Sequence, residues 1–329
     1  MPARFRAGLF LTPQRWMTLP LEKPSPMTSK PLLAAIEAGG TKCIVAVGRD
    51  PNKAKRHRVE TASPSETTSS IERIIRKEIG RNGLDAIGIA SFGPLNVDPE
   101  SADYGQIGPT PKPHWEAFNL RAHLQEEFDC PVMSESDVNG AALAEAHWQV
   151  DRPIQHLAYV TVGTGIGGGV VQNGSIVNGR SHPEIGHIRV ERHPTDRTFS
   201  GTCPFHGDCL EGLASGPAIV ARWGASLTEL SQDHPGLVLE GFYLGQLAVN
   251  LVLHHRPDVI IFGGGVSQAP GLLERIRHEC LPLLGDYLPE LASPDAMETL
   301  IASPRLENDA GILGAFMMAQ RIFSRTNNS

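Results

Sequence analysis

Apolar positions along the chain follow two periods, and they alternate in a regular order. Residues 32–48, LLAAIEAGGTKCIVAVG, set two runs of small and β-branched apolar residues on either side of a Gly-Gly turn, which predicts a β-hairpin. In ETTSSIERIIRKEIG (66–80) the period changes: Ile71, Ile74, Ile75 and Ile79 share one helical face, and Gly80 follows where the helix would stop. LDAIGIASFGPL (84–95) reads as a short buried strand running into a Gly-Pro loop, and 96–119, with Pro99, Pro109, Pro111 and Pro113, reads as a loop lining a site. The pattern then starts again. HLAYVTVGTGIGGGVVQNGSIVNG (156–179) is strand, glycine turn and strand with an Asn-Gly hairpin signal. In DVIIFGGGV (258–266) a parallel-type strand is expected to meet a helix start, and a last helix is expected from Ala310 to about Phe323 behind Asn308 and Asp309 as N-cap residues. Two α/β halves, each opening on a strand–glycine turn–strand unit, imply a cleft between lobes where ligands bind.

Composition narrows the class. With 329 residues, 40% apolar and 20% charged, the chain can bury two cores of ordinary size. A formal net charge of −7 offers no general attraction to nucleic acid or an anionic membrane, and KAKRHR (53–58) reads as a solvated loop or strand tip. Five cysteines without a regular framework do not make a secreted disulfide scaffold. In the first thirty residues the patch GLFL is too short for a signal-peptide core or a membrane span. This segment is expected to be an extension outside the fold or the product of a start placed upstream of Met17 or Met27.

Glycine turns let backbone N–H groups approach phosphate closely. GTGIGG (163–168) matches the spacing of a dinucleotide fingerprint, yet GVVQNGSIVNG follows it where that fingerprint needs a helix. No G-x-x-x-x-G-K-[ST] motif occurs. What remains is a phosphate clamp from two hairpin turns, GGTK (39–42) and GTG (163–165), with a third turn (263–265) free for a nucleoside. Each turn alone could be simply a tight hairpin; three in this order point to a nucleotide.

EAGGTK, SESDVNGAALAE, VGTGIGGG, HPEIGH, CPFHGDCLEG and FGGGV, in this order and at these separations, resemble the ROK family of bacterial sugar kinases. SFGPLN, IGPTPKPHW and LASGPAIVARWG resemble its zinc-containing fructokinase branch, and the resemblance covers about residues 32–322. It implies an actin-like, hexokinase-type (ribonuclease H-like) α/β ATPase fold of two lobes around a cleft. The lobes would be 31–133 and 134–309, the second carrying a zinc loop at 182–211, with the helix at about 310–323 packing back on the first. It also implies a cytoplasmic homodimer that binds ATP with Mg²⁺, a hexose and a structural Zn²⁺, but neither nucleic acid nor membrane. The reaction that the resemblance implies is ATP-dependent phosphorylation of D-fructose to fructose 6-phosphate. The alternatives are a glucose or mannose kinase of the same family, a sugar-sensing ROK-type regulator, and a non-catalytic zinc-knot module.

Sugar phosphorylation needs in-line alignment, charge compensation and a carboxylate to take the hydroxyl proton. Asp137 stands before the small-residue run AALAEAHW, where a carboxylate is ordinarily an N-cap; the resemblance makes it the catalytic base. The resemblance likewise assigns Gly39, Gly40, Thr41, Lys42, Thr164, Gly165, Pro217, Gly264 and Gly265 to ATP, and Gly93, Asn139, Glu184, His187 and Glu211 to the sugar. His182 and His193 read as structural polar residues. Glu37 stands where many family members have Asp, and GPTPKPHW (108–115) replaces an Asn-rich sugar loop, a departure that shifts the expected preference toward fructose. Cys203, His206 and Cys209 form C-x₂-H-x₂-C, three of the four N/S ligands of a closed zinc site, with His187 as the best fourth. A Cys203–Cys209 disulfide is the competing reading.

Overall fold

The computed structural model describes residues 30–110, 112–148 and 153–327; residues 1–29 of the expected N-terminal extension, and Pro111, lie outside the described residues. Ten strands and nine α-helices are described. They are β1 Leu33–Ala38, β2 Lys42–Gly48, β3 Lys55–Glu60, α1 Pro64–Ile79, β4 Ala86–Ser91, α2 Leu120–Phe128, β5 Val132–Ser136 and α3 Asp137–His147. Then come β6 Leu157–Val162, β7 Ile166–Gln172, β8 Ser175–Ile176, α4 Leu210–Ala214, α5 Gly216–Trp223, α6 Pro235–His255, β9 Val259–Gly263, α7 Leu272–Leu284, α8 Pro294–Leu300, β10 Ile301–Ala302 and α9 Ala310–Asn327.

The two sheets have one topology. The first runs β3-β2-β1-β4-β5 and the second, read from its other edge, β8-β7-β6-β9-β10. In each, an antiparallel hairpin (β1–β2, β6–β7) supplies the strand beside which the later strand pairs in parallel (β4, β9). The repeat inferred from two glycine hairpins is thus a repeat of whole sheets. Asn173 and Gly174, both at positive φ (50° and 69°), make the turn from β7 to β8, the geometry an Asn-Gly hairpin needs.

Local chemistry explains most boundaries. α1 starts on a capping box between Ser63 and Glu66 with Pro64 in its first turn, and Ile71, Ile75 and Ile79 form its buried stripe. KAKRHR is more than a strand tip, since its last four residues lie within β3, whose charged, exposed side chains suit a sheet edge. FGGGV does not run directly into a helix. A short 3₁₀ turn, Val266–Gln268, follows, and Pro270 keeps Ala269 extended, so α7 begins only at Leu272. Asn308 and Asp309 do not cap α9 either: Glu307–Asp309 is a 3₁₀ turn leading straight into helical Ala310, and Asp309 pairs instead with Arg56 at 3.0 Å.

Alternation along β1 divides the first sheet's two cores. Ala34, Ile36 and Ala38 face α1 and α2, whereas Leu33 and Ala35 face α9 and Leu143 of α3. In the second sheet Val160, Val162, Ile260 and Phe262 pack on α6 and α7. Its other face, through Leu157, Tyr159, Val171 and Ile261, meets Ala141, Ala142 and Ala146 of α3. α6, the one described helix apolar and long enough to cross a bilayer, is mostly buried in this core.

Helix α3 therefore lies between the sheets, buried from Asn139 to Ala146, which is why it consists of small residues all round and not of one apolar stripe. Its closest neighbour is α9. A Cβ on Gly314 would collide with the backbone of Gly140, and a Cβ on Gly140 would stand 2.9 Å from the Cβ of Ala90 in β4. We expect Gly314→Ala to cost about 1–3 kcal/mol in denaturant unfolding, since neither side of that contact is a flexible side chain. Gly83→Ala, in open space at negative φ, should stay within about 0.5 kcal/mol of wild type.

Candidate active site

Two acidic residues meet where α3 begins. Ser136, not Asp137, is the N-cap: its Oγ accepts from the Asn139 N–H at 3.3 Å, and Asp137 is the first helical residue. The Asp137 carboxylate accepts from the Val138 N–H at 2.8 Å, yet burial outweighs these backbone bonds and pushes its pKa up to about 6. Glu37, near the end of β1, is raised to about 7 by burial and then by the charge of Asp137, with Lys42 opposing. A carboxylate titrating near neutrality suits general-base work, and two coupled ones suit a cation as well.

The phosphate-turn candidates form two groups. Gly39, Gly40, Thr41 and Lys42 make the β1–β2 turn, closed by Gly39 N–H to Lys42 O at 3.0 Å and tied to Thr61, whose Oγ1 donates to Gly39 O at 2.7 Å. Gly40, Thr41 and Lys42 are exposed and free to meet a ligand. The second group surrounds the end of β6. Gly163–Gly165 turns into β7, not into a helix, with Thr164 exposed. The Gly216 N–H donates to Gly163 O at 2.7 Å and so holds the Pro217 turn against it. Gly264, at φ 87°, lies so close to Val162 that a Cβ would strike its backbone. Gly265 adjoins it in open space.

Two sugar candidates, Glu184 and His187, sit on the loop from β8 to α4, and Glu211 is the second residue of α4. His187 and Glu211 approach each other, Nε2 to Oε1, at 4.0 Å. The other oxygen of Glu211 accepts from the Ile166 N–H at 3.0 Å, which brings it beside Gly165; a Cβ there would stand 2.6 Å from that oxygen. Glu211 thus joins the sugar loop to the phosphate turn. Glu184 is exposed and pairs with His182 at 3.5 Å. His182, read from the sequence as merely structural, is itself part of this region. It is nearly buried, burial lowers its pKa, and its Nε2 stands 3.2 Å from where a Gly93 Cβ would be, across from the loop after β4. Beside Gly93 and His182 opens a cavity of about 460 Å³, whose lining includes Pro94, Gly108, Arg180 and Ser181. Asn139 is fully buried, and its amide nitrogen donates to Glu135 and Asn178, both at 3.0 Å. Glu135 lies within SESDVNGAALAE and Asn178 within the hairpin stretch 156–179, yet neither is assigned a role from the sequence.

His187, Cys203, His206 and Cys209 converge, with one ligand atom from each within 4.8 Å of the others. Nδ1 of His187 lies 3.5 Å from the Cys209 sulfur and 3.8 Å from that of Cys203, which is 3.7 Å from Nδ1 of His206. Ligands about 2.0–2.3 Å from a tetrahedral ion stand roughly 3.3–3.8 Å apart, so these spacings fit a metal. Both cysteines are free thiols, which disfavours the disulfide reading. Nδ1 of His187 faces this cluster while Nε2 faces Glu211. Behind the loop, Arg192 donates to Asp208 at 3.1 Å, to Phe199 O and to Asp196 O. Buried Arg222 grips Asp196 through two bonds of 2.9 and 3.1 Å, and the Tyr243 hydroxyl donates to Asp196 at 2.7 Å. The loop is therefore held from behind by side chains as well as by the cluster.

This architecture has close parallels. A fructokinase of Lactococcus lactis subsp. cremoris is 39% identical over 293 residues, covering 88% of this chain and 98% of the relative. A fructokinase of Zymomonas mobilis subsp. mobilis is 40% identical over 295 residues, covering 88% and 97%. The crystal structure of a ROK hexokinase from Thermus thermophilus superposes with a TM-score of 0.71 at 27% identity, over 91% of this chain and all of that one. The ROK family model matches residues 33–322, and with two such sheets around a glycine-turn cleft the chain belongs to the ROK family.

Proposed function

We propose that this chain is an ATP-dependent fructokinase in which Asp137 is the general base. The observation that carries the base assignment is a carboxylate at the entrance of the buried helix α3 with its pKa raised to about 6. The fructokinase relatives, aligned over nearly all of this chain, support fructose as the acceptor. Asp137 takes the proton of the fructose 6-hydroxyl while that oxygen attacks the γ-phosphorus; the bond from the γ-phosphorus to the β–γ bridging oxygen breaks, and ADP leaves. The β1–β2 turn and the turns around the end of β6 bind the nucleotide through backbone N–H groups, with Lys42 and the hydroxyls of Thr41 and Thr164 as further donors. Glu184, His187 and Glu211 grip sugar hydroxyls, and Gly93 leaves space beside His182.

Mg²⁺ supplies charge compensation on the phosphates when bound with ATP, and the mutual repulsion of Glu37 and Asp137 is the kind of electrostatic strain that a cation there relieves. Glu37 is the residue that would hold it. The two thiols and two imidazoles match the donor set of a closed structural zinc site. Zinc there would cross-link the loop and fix the face of His187 that meets Glu211.

Four outcomes test this reading. In an ADP-release assay over a panel of hexoses, fructose should give the highest kcat/KM, and Asp137→Asn should lower kcat about 10²–10⁴-fold with sugar binding retained. Activity of the variant above about one part in a hundred contradicts the assignment. Because a base must be unprotonated, kcat/KM should fall as pH drops through about 6, the raised value of Asp137. A profile flat to about pH 5 would place the essential group at an ordinary carboxylate instead. Chelation of the zinc should weaken fructose binding more than nucleotide binding, measured by calorimetry, since His187 lies on the sugar loop and a single bond from Glu211 reaches the phosphate turn. Equal loss of both would mean that the metal only holds the fold together.

A further inference from the structure

A closed polar triangle straddles Asp137. Glu135, the penultimate residue of β5, stands two residues before it, Asn139 follows two residues after it on α3, and Asn178 comes from the loop that leaves β8 and goes on to Glu184 and His187. Oε1 of Glu135 accepts from the Asn178 amide at 3.0 Å, and Oε2 accepts from Asn139 at 3.0 Å and from Asn178 at 3.2 Å. The triangle closes with Asn139 Nδ2 donating to Asn178 Oδ1 at 3.0 Å. Glu135 and Asn139 are buried, at 6% and 0% exposure, so neither serves as a surface contact.

Three features make this more than a generic buried brace. The Asp137 carboxylate is oriented by backbone N–H groups, so its aim depends on how the backbone at 136–138 is held. Glu135 and Asn139 hold that backbone from either side. Asn178, in turn, belongs to the chain segment bearing the sugar ligands, so the triangle fixes the base relative to the sugar loop across the two sheets. Burial raises the pKa of Glu135, and the amide N–H groups that both its oxygens accept oppose that rise.

We infer that Glu135 and Asn178 are positioning residues for the phosphoryl transfer, acting through Asn139 and the first turn of α3 to hold Asp137 against the sugar loop. The inference rests on Asp137 being the base. A carboxylate displaced by about 1 Å leaves the sugar bound but the hydroxyl misaligned, a loss of up to roughly 10²-fold that falls on kcat.

The test exchanges the two chemistries across the bond without changing their size. Asn178→Asp alone sets two carboxylates against each other, and Glu135→Gln alone sets amide against amide. The double variant restores one carboxylate and one amide in exchanged places. Each single variant should lose about 10-fold or more in kcat with the fructose KM within about threefold of wild type, and the double variant should regain kcat to within about threefold. Asn178→Ala, which adds no charge, should show the same split and serves if the aspartate variant does not fold. Singles with unchanged kcat, a loss confined to KM, or a double variant no better than the singles would overturn the inference. Asp137→Asn distinguishes the two levels. If it is inactive while the singles remain fully active, the brace alone fails; if it remains active, the base reading fails and the brace with it.

Discussion

The rest of the molecule depends on a constraint of space, the fit of α3 between two sheets and against α9. Gly140 and Gly314 meet backbone to backbone, and Ala141, Ala142 and Ala146 leave room for the second sheet where larger side chains would not fit. Close packing of this kind is stiff, because no flexible side chain can yield. Its consequence is electrostatic. The helix entrance is drawn toward the interior, and the half-buried carboxylate carried there loses part of its water. Gly311 extends the same contact to Glu37, whose carboxylate occupies the space a Cβ would need. One helix crossing thus determines where both acidic residues stand and how readily they take a proton.

The second half of the site is organised from the loop between β8 and α4. His187 has two faces in use, one toward the sulfur ligands and one toward Glu211, and Glu211 passes the contact on to the Ile166 N–H at the start of β7. Metal cluster, sugar loop and phosphate turn are therefore consecutive links of one chain of contacts. The four donors would fill a tetrahedral metal's positions, and a metal held there would act through the imidazole it orients. The ion pair of Arg222 with Asp196 supports the same loop from the core side, so the geometry does not hang on the metal alone.

Much of this was legible in the sequence because the signals are local. The Gly-Gly and Asn-Gly turns, the Ile71–Ile75–Ile79 stripe and the C-x₂-H-x₂-C spacing each require only neighbouring residues. What the sequence concealed depends on contacts far along the chain. The bond from the Asn139 amide to Asn178, 39 residues away, is one of these. His182 reads as incidental until the loop after β4 sets Gly93 against it. The 3₁₀ turn after FGGGV was within reach of a local reading, since Pro270 stands where a continuous helix could not pass.

The most direct test of the central claim, that the α3 packing makes Asp137 a base poised near neutrality, is a carbon-13 NMR titration of its side-chain carboxyl, assigned by comparison with Asp137→Asn. The packing predicts a midpoint near 6, with Glu37 titrating at about 7 and the two curves interdependent as neighbouring charges require. A midpoint near the ordinary aspartate value of about 4 would contradict it, because the helix entrance would then be as well hydrated as any surface carboxylate.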